Sequence, residues 1–449
     1  MSSVVTLRVG QRGGSGDMQV RLLVVLAGVV GGMMGCAVDG STVTGGPAAP
    51  DAPVVLPPGD ASTADAGAGP ADASGGPAGV DAAAPDAGGG HGGADAALPD
   101  AGGAGTVERV FYVANDDGSL YAYRQGTWEQ LAHWTGLPIQ SGVRGIDVDP
   151  ATGALYLAHG GDGAGNGTGG LLAWSLGQAR VLYNVSLGYG VDQLSYGDGK
   201  IYMPEGELTN STRWHVLDAA TGAALGSEAG GAYPHNTIYR NGHRYYGGRQ
   251  ANRLTIVGIG AGSVGPSPSS TAGVRPFTVN AAETRVWLTW SKYRGFSVGD
   301  VQTGALLKSV SFGALPGGFS QTTASHGISL APDGAEVYVL DLVTDSVRVY
   351  DGTDDPHLLA TIALPHGLYG GTESPCAYDC DKVGWLLHSR DGAYVYVGDS
   401  GDVIDTKTRT VVAFLPPLRQ SRHGFIEVDW SSWPSGTPVA TTTHFGLGY

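Results

Sequence analysis

RGIDVDPATGALYLA, residues 144–158, and HGISLAPDGAEVYVL, residues 326–340, decide the fold. Each alternates apolar and polar residues, turns at a Gly or an Asp-Gly, and alternates again. A period of two sends successive side chains to opposite faces of a strand, and a Gly-containing turn between two such runs makes an antiparallel hairpin. The same outline recurs at 192–203, 235–247, 275–290 and 384–397, and its first half returns at 423–430 as HGFIEVDW. The seven starts, Arg144, Asp192, His235, Arg275, His326, Gly384 and His423, span 279 residues in six intervals, a mean of 46.5. That is the length of four strands with their turns, the blade of a β-propeller.

The second half of the unit repeats as well, in VLDAATGAAL (216–225), VGDVQTGALL (298–307) and VIDTKTRTVV (403–412). PDGAEVYV at 332–339 followed by SVRVYD at 346–351 resembles the YVTN-type repeat of bacterial YncE-like and lactonase-like propellers. The resemblance covers residues 107–449, is strongest from 274 to 415, and implies an all-β, seven-bladed ring. Residues 109–133 supply the outer strands of a blade whose inner strand is 424–430, so that the two ends close the ring together. PVATTT at 438–443 is then one strand in excess, which keeps an eight-bladed ring as the alternative.

Upstream of the repeat the composition changes. LLVVLAGVV at 22–30 follows Arg21 and is shorter than the ~20 apolar residues a membrane span needs, so residues 1–36 read as an export signal. Met33-Met34-Gly35-Cys36 resembles the bacterial lipobox, which implies that Cys36 carries lipid. Such an anchor holds a protein to the cell envelope, here the outer membrane, without a spanning helix. Residues 37–106 are almost wholly Ala, Gly, Pro, Asp, Ser and Thr, with no aromatic residue, and cannot bury enough apolar surface to offset their ordering entropy. They read as a disordered, extended linker.

Charge and cysteine usage fit this arrangement. The chain carries a formal charge of −16, and nine Asp fall in 37–105 with no Lys, Arg or Glu. Without a basic stripe to displace phosphate counterions, nucleic acid is excluded as a partner. Cys376 and Cys380, in CAYDC, form the expected disulfide of an exported protein, stapling the loop 366–382 that begins at His366.

In a propeller the innermost strands start near one mouth of the central channel. Arg144, Asp192, His235, Arg275, His326 and His423 therefore form a polar collar there, with Gly384 as its gap, and converging polar groups in a concave mouth are the expected ligand site. Arg with His suits a small anionic ligand. His235, His326 and His423 are also a donor set for a transition metal, and hydrogen bonding between blades is the third use open to the collar. The expected function is a ligand-binding or envelope-protein interaction scaffold. The lactonase-like resemblance implies the alternative, a hydrolase or metal-dependent enzyme with His as base or ligand and Arg at a developing oxyanion.

Two motifs are set aside. GDSGD at 398–402 matches the nucleophile segment of trypsin-like proteases, but it falls where a hairpin turn is required and no matching His segment exists. GGDGAGNGTGG at 160–170 lies between two strands, whereas a phosphate cradle opens a helix.

Overall fold

The alternating residues of 143–186 form four antiparallel strands, Val143–Asp149, Ala154–Gly160, Gly169–Ser175 and Arg180–Ser186, paired in chain order. The first three are buried along their whole length, while the fourth alternates exposed and half-buried positions. This is the signature of a blade sandwiched between neighbours on both faces, with its outer strand turned to water. The computed structural model describes residues 107–140, 142–162, 167–269, 273–319, 323–372 and 381–434, with the backbone of 438–443. Five more four-stranded sheets follow, beginning at Ser195, Pro234, Val274, Ile328 and Trp385. The expected signal segment with Cys36, the linker 37–106, and Cys376 with Cys380 lie outside the described residues.

The seventh sheet closes the ring. Phe425–Trp430 pairs with Glu108–Ala114, which is followed outward by Leu120–Arg124 and Gln130–Trp134. Trp430 stands opposite Glu108 and Phe425 opposite Val113. The excess strand Pro438–Thr443 does not start an eighth blade. It pairs on the free, channel-side edge of Phe425–Trp430, with Thr443 opposite Glu427 and Pro438 opposite Trp430. An inner strand presents a row of unpaired backbone groups to the channel, and a fifth strand satisfies them.

Local chemistry sets the turns. Asp198-Gly199 and Asn241-Gly242 both hold φ between 46° and 83°, as a two-residue type I′ hairpin turn demands. In the repeated Asp-x-x-Thr-Gly turn, the Asp218 and Asp300 Oδ1 atoms accept the backbone N–H of Thr221 and Thr303 at 2.9 and 2.7 Å. Gly222 and Gly304 then take φ +73°.

Neighbouring blades are tied at their inner strands. Asp147 Oδ2 accepts the Tyr196 N–H at 2.7 Å, Ser195 Oγ that of Tyr239 at 3.0 Å, and Ser329 Oγ that of His388 at 3.1 Å. Glu427 Oε1 accepts the Arg390 N–H at 2.8 Å. Aromatic side chains fill the space between blades. Phe111 of the closing blade stacks on Tyr396 of the preceding one at 3.8 Å, and Trp214, Trp287, Trp290 and Trp430 are fully buried. Burying each such side chain stabilises the fold by roughly 1.5–3 kcal/mol through area removed from water.

Candidate functional site

The inner strands do not run regularly into the channel mouth. Val143 pairs with His159 and Gly145 with Ala158, leaving Arg144 as an extra residue. His235 is likewise extra between Pro234 and Asn236, and Arg275 with Pro276 lies between Val274 and Phe277. A β-bulge turns its extra residue out of the two-residue alternation. Here that frees three charged or polar side chains from the gap between blades and sends them to the mouth.

They meet two buried carboxylates. Arg144 Nη2 lies 3.4 Å from Asp192 Oδ1 and 3.3 Å from Glu207 Oε1. Arg275 Nη1 and Arg249 Nη1 reach Glu207 Oε2 at 2.7 and 3.4 Å. His235 Nδ1 donates to Asp192 Oδ2 at 2.8 Å and lies 3.8 Å from Glu207 Oε2. Burial alone would raise the Glu207 carboxyl, but His235, Arg275, Arg144 and Arg249 together outweigh it and hold the group well below its usual range.

Across the mouth, Gly384 is no gap. It sits at φ +73°, and a Cβ there would lie 2.6 Å from Leu340 Cδ2, so only Gly fits. The tight turn sets Trp385 among the three imidazoles, edge to face with His423 at 5.1 Å, His326 at 5.2 Å and His235 at 6.4 Å between ring centroids. His326 Nδ1 donates to the Gly384 carbonyl at 2.9 Å, which fixes its tautomer and leaves Nε2 with a lone pair. Burial first, then Arg275, His235 and Arg422, holds His326 well below its ordinary value. Burial with Arg144, Arg422, His326 and His235 does the same for His423. Among the described residues, His235 Nε2 and His423 Nδ1 are buried without a hydrogen-bond partner.

The GDSGD segment has a structural use. Asp399 Oδ2 accepts the N–H groups of Val383 and Gly384 at 3.1 and 3.0 Å and lies 3.5 Å from Arg422 Nε, bracing the Gly384 turn. His366 stacks on Phe414 at 4.0 Å and bonds Asp402 Oδ1, outside this cluster.

All six polar residues expected in the collar are buried, and the contacts and charge interactions above join them in one network. Sequence reasoning missed Glu207, Arg249, Trp385, Asp399 and Arg422. Glu207, Arg249 and Asp399 lie on loops that follow the second strand of a blade, which emerge on the same face as the inner-strand starts. Among the described residues, the ligand atoms brought within 4.8 Å of one another are those of Asp192, Glu207 and His235, a group that does not include His326 or His423. This acidic triad is already charge-paired with Arg144, Arg249 and Arg275, and a divalent cation placed there would face three guanidiniums. The donor set does not fit a resident metal.

No protein-family model matches the chain, and no curated protein matches it. Solved structures do. The periplasmic gluconolactonase of Pseudomonas aeruginosa superposes with a TM-score of 0.51 at 12% identity, covering 76% of this chain and 100% of that one. A putative 6-phosphogluconolactonase of Bacteroides fragilis follows at 0.49 and 12%, covering 74% and 96%. The WD40 repeats of RRP9 match at 0.48 and 13%, covering 70% and 89%. At these identities the likeness is one of fold, which hosts unrelated functions.

Proposed function

We propose that the protein is an exported, lipid-anchored propeller of YVTN type that binds a small ligand carrying a carboxylate or carbonyl oxygen at its channel mouth. The observation that carries this reading is the pair of buried, unpartnered imidazole nitrogens, His235 Nε2 and His423 Nδ1, around the Trp385 ring. Buried polar atoms are nearly always satisfied, and leaving one bare costs roughly 1–3 kcal/mol. A ligand supplies the missing partners, a hydroxyl donating to the His235 Nε2 lone pair, and the surrounding guanidiniums favour a ligand that also carries negative charge. The test is calorimetric titration of the full chain with small hydroxycarboxylates and the matching lactones, beside His235→Ala. Saturable binding weakened about tenfold or more in the variant is expected. Equal affinity in both proteins would move the ligand elsewhere, with an envelope protein on the outer blade faces as the next partner to seek.

The Asp192–His235 pair favours hydrolysis as a second reading. Its Nδ1–H is held by the carboxylate, so Nε2 is placed to take a proton from a water attacking a lactone or ester carbonyl. The proton then passes to the leaving alkoxide oxygen as the acyl C–O bond breaks. Two neighbours in fold are named as lactonases, which makes lactones the first substrates to try. Asp192→Asn should lower kcat by about 10³–10⁴ with the fold intact; turnover that persists unchanged in this variant removes the dyad from the chemistry.

Location is a separate proposal. Cys36 anchors the chain to the outer membrane through the 37–106 linker. Cys36→Ser should move the protein from the membrane to the soluble fraction, and unchanged partition would overturn the anchor.

A further inference from the structure

A second cleft, of about 250 Å³, opens between the closing blade and the blade before it. One wall is the turn 115–118, which supplies Asn115, Asp116 and Asp117. The other walls are Tyr121, Pro416 and Pro417, with Gln420 at the rim. The turn is held by the Asn115 N–H bonding the Ser119 carbonyl at 2.9 Å and the Gly118 N–H bonding the Asn115 carbonyl at 3.0 Å.

The polar lining accepts hydrogen bonds far more than it donates them. Asp116 Oδ1 takes the N–H of Val143, at the start of the neighbouring blade's inner strand, at 2.7 Å, and Asp117 Oδ1 takes the Ser119 N–H at 2.9 Å, so one oxygen of each carboxylate is already used. Asn115 is 7% exposed, and its Oδ1 is buried without a partner among the described residues. Among the described residues, no Lys or Arg lines the cleft. The nearby Arg144 is turned to Asp192 and Glu207, and Arg422 to Asp399. Burial pushes the Asp116 carboxyl up despite those guanidiniums, a cost that a bound cation relieves.

We propose that this cleft binds a primary ammonium group on an aliphatic stem, with Asn115 Oδ1 and the Asp116 and Asp117 carboxylates accepting its three N–H bonds. An ammonium has three donors and no acceptor, which matches this set. Pro416, Pro417 and Tyr121 give its methylenes an apolar wall. Calcium needs six to eight oxygens, and with Oδ1 of Asp116 and of Asp117 already accepting backbone N–H groups the lining side chains leave fewer. The proposal stands apart from the collar reading, since neither His235 nor His423 takes part.

Calorimetric titration of the full chain with 1,4-diaminobutane and with N-acetyl-lysine amide tests it, with tetramethylammonium and calcium as controls. At least one of the two primary amines should bind saturably, and the tighter of them tells whether a free amine or a lysyl side chain is the source. Tetramethylammonium, which has charge but no donors, should not bind. Asp117→Asn, at an exposed position, and Asn115→Leu should each weaken binding about tenfold or more, while His235→Ala leaves it unchanged. Binding of tetramethylammonium or calcium as tight as that of the amines would overturn the assignment. Failure of both amines to saturate would do so too, as would affinity unaltered in Asp117→Asn.

Discussion

Glu207→Gln tests the electrostatic core of the collar. The wild-type carboxylate is fully buried, with guanidinium nitrogens at 2.7, 3.3 and 3.4 Å and His235 Nδ1 at 3.8 Å. Glutamine keeps the shape and removes the charge, so Arg144, Arg249 and Arg275 lose a shared counterion in a dry site. Breaking a buried ion pair in this way costs about 3–5 kcal/mol. For a propeller of roughly 340 residues, an unfolding entropy of ~2.1 cal/mol/K per residue gives ~0.7 kcal/mol/K, so Tm should fall by about 4–7 °C near neutral pH. The carboxyl is depressed on folding. Its stabilisation is therefore full above the usual Glu value of 4.5 and is lost as the pH falls through the folded value. Thermal unfolding from pH 7 to pH 3 should show a wide gap between wild type and variant that closes in acid. A Tm within about 1 °C of wild type at pH 7, or a gap that does not change with pH, would refute the counterion role.

Gly384→Ala should destabilise by about 2–5 kcal/mol, combining left-handed strain with a Cβ pressed against Leu340, and should shift Trp385 emission; urea unfolding with fluorescence measures both. His388 is buried and pushed down to about 3 by desolvation, so between its usual 6.5 and that value the unfolded chain binds a proton the folded chain refuses. Stability should fall as the pH drops through this window, by at most about 1.4 kcal/mol per pH unit. His388→Gln, which retains a polar group for Ser329, should flatten that acid slope, and an identical pH profile would show that His388 does not set it.

The ring was legible because its signals are local. Period-two runs, Asp-Gly and Asn-Gly turns and the Asp-x-x-Thr-Gly turn each act within a few residues, and their recurrence gave the blade count and the closure at 109–133 with 424–430. The collar was legible in part for the same reason, since inner-strand starts repeat with the blade. What the repeat could not show is which loops converge. Glu207 sits in the aperiodic stretch 205–212, and Arg249 comes just after a strand end, where nothing in the spacing marks a counterion or its partner. Trp385 follows the apparent gap at Gly384, and nothing in the spacing marks it as part of the collar. The bulges at Arg144, His235 and Arg275 depend on pairing across a hairpin and leave no trace in a single strand. PVATTT looked like a strand, but its place on the channel edge depends on a free edge that only the closed ring exposes.

The closing sheet also settles how the propeller bears load. Glu108 lies opposite Trp430, at the end of the inner strand remote from His423, so the closing strand begins on the face opposite the collar. A pull from that side runs along the axis of Glu108–Ala114, which is bonded to Phe425–Trp430 on one edge and to Leu120–Arg124 on the other. Both ladders then resist in shear, many bonds at once, where an edge strand would peel one bond at a time. The strand that closes the ring is thus a mechanical clasp, and force applied at Glu108 does not draw on the mouth where the imidazoles gather.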